Sequence, residues 1–289
     1  MQRTIEFVNQ LVREYQEGVS LVDLSLKYHT DAHYQFKKHG IKARKLGEQK
    51  IINRKNCISL NWYCECIANE EEAYIMGMLY ADGYITRQQL GLKLKENDKN
   101  LVEKIKNYFS KDIKLQYDKK RKVYSFVVSS TTVIKNLEKL GFLRQKSKKE
   151  LQIPDMPDNL KRHFIRGYFD GDGSIYICKK NNKSAYLKSY ICSPTISILQ
   201  DMQKTFEFNS ISSSINKEQR KGKVLKCFDR EVVASMDMYR LFIRKKKDLK
   251  KLYNFFYKNC TIFMERKKKV FDENFGMLDY IHVNTEVNS

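Results

Sequence analysis

Proline and glycine are scarce in this 289-residue sequence, at 3 and 12 residues, and tryptophan occurs once. So little of either excludes long disordered linkers and low-complexity architectures. No apolar run is long enough to cross a bilayer, and the opening MQRTIEFVNQ lacks the apolar core of a signal peptide. The expected location is therefore the cytoplasm, or a nucleoid or organelle DNA compartment. Acids are also in short supply: 34 Asp and Glu face 55 Lys and Arg, a formal net charge of +21. Self-repulsion of that size opposes folding unless a polyanion neutralises it, which makes nucleic acid the leading partner and an acidic membrane surface a distant second.

Several kinds of chemistry lack their residues. The 7 cysteines stand at 57, 64, 66, 178, 192, 227 and 260; only Cys64 and Cys66 are close, and a one-residue gap is not the spacing of a zinc knuckle. Buried or half-buried free thiols in a reducing compartment are expected instead. His29, His33, His39, His163 and His282 form no HxxxH or His-Asn-His pattern, which argues against a histidine-metal nuclease. His163 is expected to be a capping or surface residue. No GxxxxGK loop supports nucleotide hydrolysis.

What is present is a folded-protein composition, 42% hydrophobic and 12% aromatic, over a length that holds one large or several small domains. Residues 1–45 read as a small all-α unit. Phe7, Leu11, Val12 and Tyr15 recur at helical spacing until Glu17 and Gly18. Ser20 suits the cap of a second helix carrying Leu21, Leu24 and Leu26, and Thr30 or Asp31 the cap of a third through HYQFKKHG. This rhythm is that of a helix-turn-helix, with His33, Gln35, Lys37 and Lys38 on or near the outer face of its last helix, toward a major groove. A plain three-helix cap on the main domain fits the same pattern. The basic stretch IKARKLGEQKIINRKN then reads as a tether along a phosphate backbone, with Lys42 and Arg44 as contacts, and residues 46–69 as tether and approach segment.

The remainder repeats one succession of elements, over 70–153 and 154–289. In the first copy Asn69 and the acids at 70–72 open a helix; QLGLKLKEND alternates Leu90, Leu92 and Leu94 against Lys93 and Lys95; LVEKIKNYF is an amphipathic helix; KLQYD and KVYSFVVSS are strands; and TVIKNLEKLGF is a helix capped by Thr131 or Thr132. The link LQIPDMPDNLKR carries Pro154 and Pro157, and Asp158 can cap the helix that follows. SIYICKK and AYLKSYIC then read as strands, ISILQDMQKTFEF as a helix, MYRLFIRKK as a strand with Tyr239, Leu241 and Ile243 inward, and DLKKLYNFFYKN as a helix. The fold class is thus α+β, a duplicated αββαββα unit with approximate two-fold symmetry plus the small all-α unit.

Each repeat opens on a related segment, YIMGMLYADGYI at 74–85 and FIRGYFDGDGSI at 164–175. Small residues recur four positions apart, Gly77 with Ala81 and Gly167 with Gly171, so two such helices can approach closely face to face. Asp82 and Asp172 would then emerge side by side. Singly, an Asp-Gly pair is an ordinary helix stop, with Gly83 and Gly173 as left-handed caps. As a pair, the carboxylates sit twice where the helix dipole is already negative, which a bound divalent cation would compensate.

These segments resemble the motif of the LAGLIDADG homing endonucleases, in the arrangement with two motifs on one chain: IMGMLYADG at 75–83 and IRGYFDGDG at 165–173, over a resemblance covering roughly residues 60–270. Tyr80 departs from the acid in the family name. The resemblance implies curved antiparallel sheets lying along DNA and paired helix ends facing the minor groove. Asp82 and Asp172 would each hold Mg²⁺, or another divalent cation such as Mn²⁺, with the backbone of Ala81 and Gly171 as further oxygen donors. Lys93, Lys95, Lys188, Arg240 and Arg244 are the candidate DNA contacts of the sheets. Aligning GFLRQKSKK at 141–149 with IFMERKKKV at 262–270 sets Lys146 opposite Lys267, and the family resemblance makes these the lysines that position or polarise water. Solvated members of charge runs would look the same.

The expected function is a monomeric, site-specific double-strand DNA endonuclease with no membrane partner. The alternative is a non-cleaving nucleic-acid-binding protein of the same fold, an intron maturase or regulator. A protein-interaction module with an incidental basic surface is the rival from another class, and salt dependence separates it, because nucleic-acid binding releases counterions.

Overall fold

A computed structural model of the chain describes residues 5–44, 59–144, 149–180, 184–227 and 230–279. Lys146, most of the basic tether, Cys57, His282 and the polar C-terminal NTEVNS lie outside the described residues. Two compact units are present, Met1–Ser59 and Leu60–Ser289. Among the described residues no helix is long and apolar enough to cross a membrane.

The first unit has α1 (Ile5–Gln16), α2 (Leu21–Lys27) and α3 (Ala32–Lys38) around Leu11, Tyr15, Leu21, Leu24, Ala32 and Phe36. Gly18 follows α1 at φ +111°, a conformation that glycine adopts without Cβ strain. The Ser20 and Asp31 side chains accept from the N–H groups of Asp23 and Tyr34, which satisfies otherwise orphaned donors at the starts of α2 and α3. Leu26 does not join this core; it is exposed, as is Val22 one turn before it.

In the second unit the first repeat runs α4 (Glu70–Asp82), β1 (Tyr84–Ile85), β2 (Gln89–Lys95), α5 (Lys99–Phe109), β3 (Gln116–Asp118), β4 (Val123–Ser129) and α6 (Thr131–Lys139). The second runs α7 (Asp158–Asp172), β5 (Gly173–Lys180), β6 (Ser184–Ser193), α8 (Ile196–Phe208), β7 (Ser214–Glu218), β8 (Val224–Cys227), β9 (Arg230–Val233), β10 (Met238–Ile243) and α9 (Lys246–Tyr257), with α10 (Glu265–Asp279) after it. The sheets have matching antiparallel orders, β1-β2-β4-β3 and β5-β6-β10-β7, so the α+β duplication is present in the topology itself. Leu92 pairs with Phe126 and Leu241 with Ile191, which sets both apolar sets inward. α5 packs under β2 and β4, and α8 under β6 and β10.

Local details correct the sequence reading. α6 is capped by Ser130, not by either threonine: Ser130 keeps extended dihedrals at the end of β4 and its side chain accepts from Val133 N–H. Asp158 is already the first helical residue of α7; Pro157, at φ −53°, holds the boundary position, and Asp158 instead pairs with Lys161 at 2.6 Å. Cys66 is exposed rather than buried. β7 fills a strand position of the αββαββα unit for which no segment was named, and the β8–β9 ribbon and α10 have no counterpart in the sequence expectations. The α10 stripe is the instructive case, because Lys267, Phe271 and Asn274 form its buried face, and the lysine run at 267–269 conceals that period.

Candidate active site

α4 and α7 cross at the centre of the second unit. They pack backbone to backbone: a Cβ built on Gly77 would lie 1.9 Å from the carbonyl oxygen of Phe164, and one on Gly167 would lie 2.0 Å from that of Tyr74. Contact continues to the C-terminal ends, where a Cβ on Gly171 would meet Ala81 Cβ at 2.3 Å and Asp82 Oδ2 at 2.9 Å. The small-residue spacing thus does what it was expected to do, and Asp82 and Asp172 close the two helices. Gly83 and Gly173 are not left-handed caps. Their φ values are −74° and −91°, and each is excluded from carrying a side chain by its own helix, since a Cβ would stand 2.7 Å from the Leu79 carbonyl oxygen or 2.2 Å from Phe169 Cδ2. The chain leaves each helix end directly into a strand.

Lys267 lies beneath this end of α7, 5% exposed. Its ammonium donates to the carbonyls of Phe169 and Gly173 at 2.6 Å and of Gly171 at 3.4 Å, so a cation caps the negative end of the helix dipole. Burial lowers its pKa to about 8, against the pull of Asp170, Asp82 and Asp172, which favour the charged form. At this site the unfolded chain therefore holds more protons than the folded one between about pH 8 and the ordinary lysine value, and the contribution of Lys267 to stability rises with pH across that window. In Lys267→Met that rise is expected to disappear from the thermal-denaturation profile. Identical pH profiles for parent and variant would exclude Lys267 as the group responsible.

Asp170 is fully buried beside it. Its Oδ2 accepts from Tyr74 Oη at 2.6 Å and from Met264 N–H at 2.7 Å, while Oδ1 is buried without a hydrogen-bond partner. Burial raises its pKa to about 6, offset by Lys267 and those two donors. The matching residue of the first repeat is Tyr80, whose Oη donates to the Leu140 carbonyl at 2.7 Å. Both positions tie a central helix to the segment after its repeat's last helix, one by accepting and the other by donating. The departure from the family motif at Tyr80 therefore falls on a position with a tethering task.

The sequence reading missed the anchor at the other end of the helices. Arg166 is fully buried and donates to the carbonyls of Ile262 and Phe256 and, at 2.8 Å, to Glu70, which also accepts from Thr261 N–H. His163 is buried next to Arg166, not on the surface, and burial and that cation lower its pKa to about 4, so the ring is neutral near pH 7. An arginine within the otherwise apolar opening of the motif, IRGYF, was the available signal.

Around Asp82 there is a cleft of about 390 Å³ whose lining includes Lys93, Lys95, Gly171, Arg266 and Lys267. Lys93 and Lys95 alternate outward from β2 as expected, with the Lys93 ammonium 5.7 Å from the Tyr84 ring. On the second sheet Lys188 stands beside Tyr186, Arg240 lies over Tyr190 while paired to Glu218 at 2.8 Å, and Arg244 is exposed over Phe242. In the first unit Lys37, Lys38 and Lys42 are exposed. Arg44 turns inward: its guanidinium lies 3.6 Å over the Tyr15 ring and donates to the Val19 carbonyl.

Residues 159–254 match the family model described as a LAGLIDADG-like domain. The tRNA-splicing ligase RtcB of Pyrococcus furiosus is 30% identical over 149 residues, 44% of this chain and 15% of that protein. An uncharacterized protein of Methanocaldococcus jannaschii is 26% identical over 159 residues, 53% of this chain and 56% of that one. The chain thus spans much less than the whole of these relatives. Among solved structures, the LAGLIDADG homing endonuclease I-GzeII in complex with DNA target is 16% identical, with a TM-score of 0.51 over 75% of this chain and 94% of that one. The meganuclease I-SmaMI bound to uncleaveable DNA is 12% identical, with a TM-score of 0.52 over 72% and 90%. With a LAGLIDADG-like domain matched over residues 159–254 and two sheets of one topology about two crossing central helices, the chain has the fold of the LAGLIDADG homing endonucleases.

Proposed function

We propose that the chain is a site-specific endonuclease that hydrolyses both strands of a DNA duplex, with Asp82 and Asp172 each serving one scissile phosphate. The observation that carries this reading is the backbone contact through Gly77, Gly167 and Gly171, which ends two helices side by side on carboxylates above a cleft lined with Lys93, Lys95 and Lys267. A divalent cation fits the donors: the glycine at 171 leaves room against Asp82 Oδ2, where a Cβ would stand at 2.9 Å, and the oxygens are hard. Asp82 and Asp172 would hold it, with main-chain oxygens of Ala81 and Gly171 in reach of the same helix ends. Among the described residues no three His, Cys, Asp or Glu form a cage, so remaining positions would fall to phosphate oxygens and water. Bound there, Mg²⁺ or Mn²⁺ supplies Lewis acidity toward the phosphate and a more acidic water.

The chain's own residues orient the reaction. The outward lysines and arginines of the two sheets bind phosphates and groove edges, the crossing helices fix the carboxylate spacing, and Lys267 holds the end of α7 in place. Lys146 is its expected partner in the first repeat. The first unit would lengthen the footprint as a helix-turn-helix through Lys37, Lys38 and Lys42, and the protein would act as a monomer, both half-sites being on one polypeptide. The test is incubation of the parent with a library of duplexes, with Mg²⁺ and with chelator. Cutting at one site, in Mg²⁺ only, supports the reading; tight, salt-sensitive binding without cutting of any duplex favours the maturase or regulator instead.

A further inference from the structure

The two halves differ most in their strands. In the first sheet β1 has 2 residues and β3 has 3, and β3 turns into β4 through residues 119–122. In the second, their counterparts β5 and β7 have 8 and 5 residues, β6 has 10 where β2 has 7, and residues 219–237, between β7 and β10, carry β8 and β9 as a separate antiparallel ribbon. At about 3.4 Å per residue, the 8-residue β5 runs along roughly eight base-pair steps of a duplex and its 2-residue counterpart β1 along about two.

The base of the ribbon is fastened. Gly222 N–H donates to the Ala234 carbonyl at 2.8 Å and Ala234 N–H to that of Lys223 at 2.9 Å, while Asp237 accepts from the N–H groups of Arg220 and Lys221 and pairs with Lys217 at 3.0 Å. Beyond that base three valines are uncovered. Val224 and Val233, directly opposite in register, are 59% and 62% exposed, Val232 is 47% exposed, and Lys221 and Lys223 stand exposed next to them. A two-stranded ribbon is marginal in water without a surface to pack on. The width of one matches a major groove, in which valine methyls can meet thymine methyls while lysines reach phosphates.

We propose that the β8–β9 ribbon is a recognition arm for duplex DNA, seated in the major groove beyond the second sheet and lacking a counterpart in the first half, so that the second half reads the longer half-site. This rests on the duplex-DNA reading above, and the test separates the two. A target selected from a random duplex library is footprinted with hydroxyl radicals using the full chain, Val233→Asp and the double variant K221E/K223E. All the altered side chains are exposed, and melting curves matching the parent's check that the fold is retained. Protection is expected to shrink in both variants at one end only, by about three or four base pairs, the reach of a four-residue strand. Affinity should fall about tenfold, with the cut position unchanged. Unchanged protection and affinity in both variants, or equal loss at the two ends, overturns the arm. Failure of the parent to protect any duplex overturns the duplex-DNA reading itself.

Discussion

Asp82→Asn and Asp172→Asn are each expected to abolish double-strand cutting, by at least about a thousandfold, while leaving duplex affinity within about threefold of the parent. Asparagine keeps the size and an oxygen of the carboxyl group, so the close seat of Gly171 against residue 82 is preserved. What is lost is the negative charge that would hold a divalent cation, and with it about 4 kcal/mol of transition-state stabilisation, the free energy of a thousandfold change in rate. Binding follows a different term: it depends on Lys and Arg against phosphate, and removing an acid from a chain of net charge +21 does not weaken that attraction. Plasmid cutting and gel-shift titration on the same preparations separate the two. A nicked product from each single variant would assign one acid to each strand, whereas complete loss in both would mean that the centres act together. Undiminished cutting by either variant would remove that aspartate from the active site.

Much of this arrangement was legible in the sequence, and the parts that were not share a cause. The alternation of Leu90, Leu92 and Leu94 with Lys93 and Lys95 fixed β2 and its basic outer face, because a half-buried strand has a period of two. The spacing of Gly77 and Gly167 within their motifs anticipated the helix crossing, because only small residues permit such an approach. The role of Gly83 and Gly173 was misread: a glycine after a helix is compatible with a left-handed cap, and what excludes a side chain here is a contact inside the helix that only coordinates reveal. Arg166 and Asp170 escaped notice for a similar reason. A buried charge is defined by its partners, and theirs, at Glu70, Phe256, Ile262 and Met264, are far away along the chain. The ribbon gave no signal because its valines face solvent, so no burial period betrays them. Lys267 is the intermediate case. Aligning the two repeats singled it out, but its burial against the carbonyls of Phe169, Gly171 and Gly173 could not be read from a run of lysines.

Gly167→Ala, and likewise Gly77→Ala, is expected to lower stability by about 3 kcal/mol or more. Alanine in a helix interior is ordinarily favoured over glycine by about 1 kcal/mol, so intrinsic propensity predicts the opposite sign. Sterics decide the outcome here. The new methyl would lie 2.0 Å from the Tyr74 carbonyl oxygen, or 1.9 Å from that of Phe164, and the obstacle in each case is helical backbone rather than the mobile end of a side chain. Relief requires the two helices to separate along their length. That opens the packing of residues buried to 1% exposure or less on both sides, Tyr74, Met78, Phe164 and Tyr168 among them. A loss of 3 kcal/mol is a substantial fraction of the ~5–15 kcal/mol that holds a typical domain folded, and for a unit of this size it corresponds to a fall of roughly 6–12 °C in Tm. The same separation would move Asp82 relative to Asp172, and a misplacement of about 1 Å is enough to cost a reaction roughly a hundredfold. Cutting should therefore fail in these variants even at temperatures where circular dichroism reports a folded chain and the sheets still hold DNA. A Gly167→Ala protein with the parent's Tm would show that the helices can part without cost, and the geometric basis for pairing the two carboxylates would be lost with it.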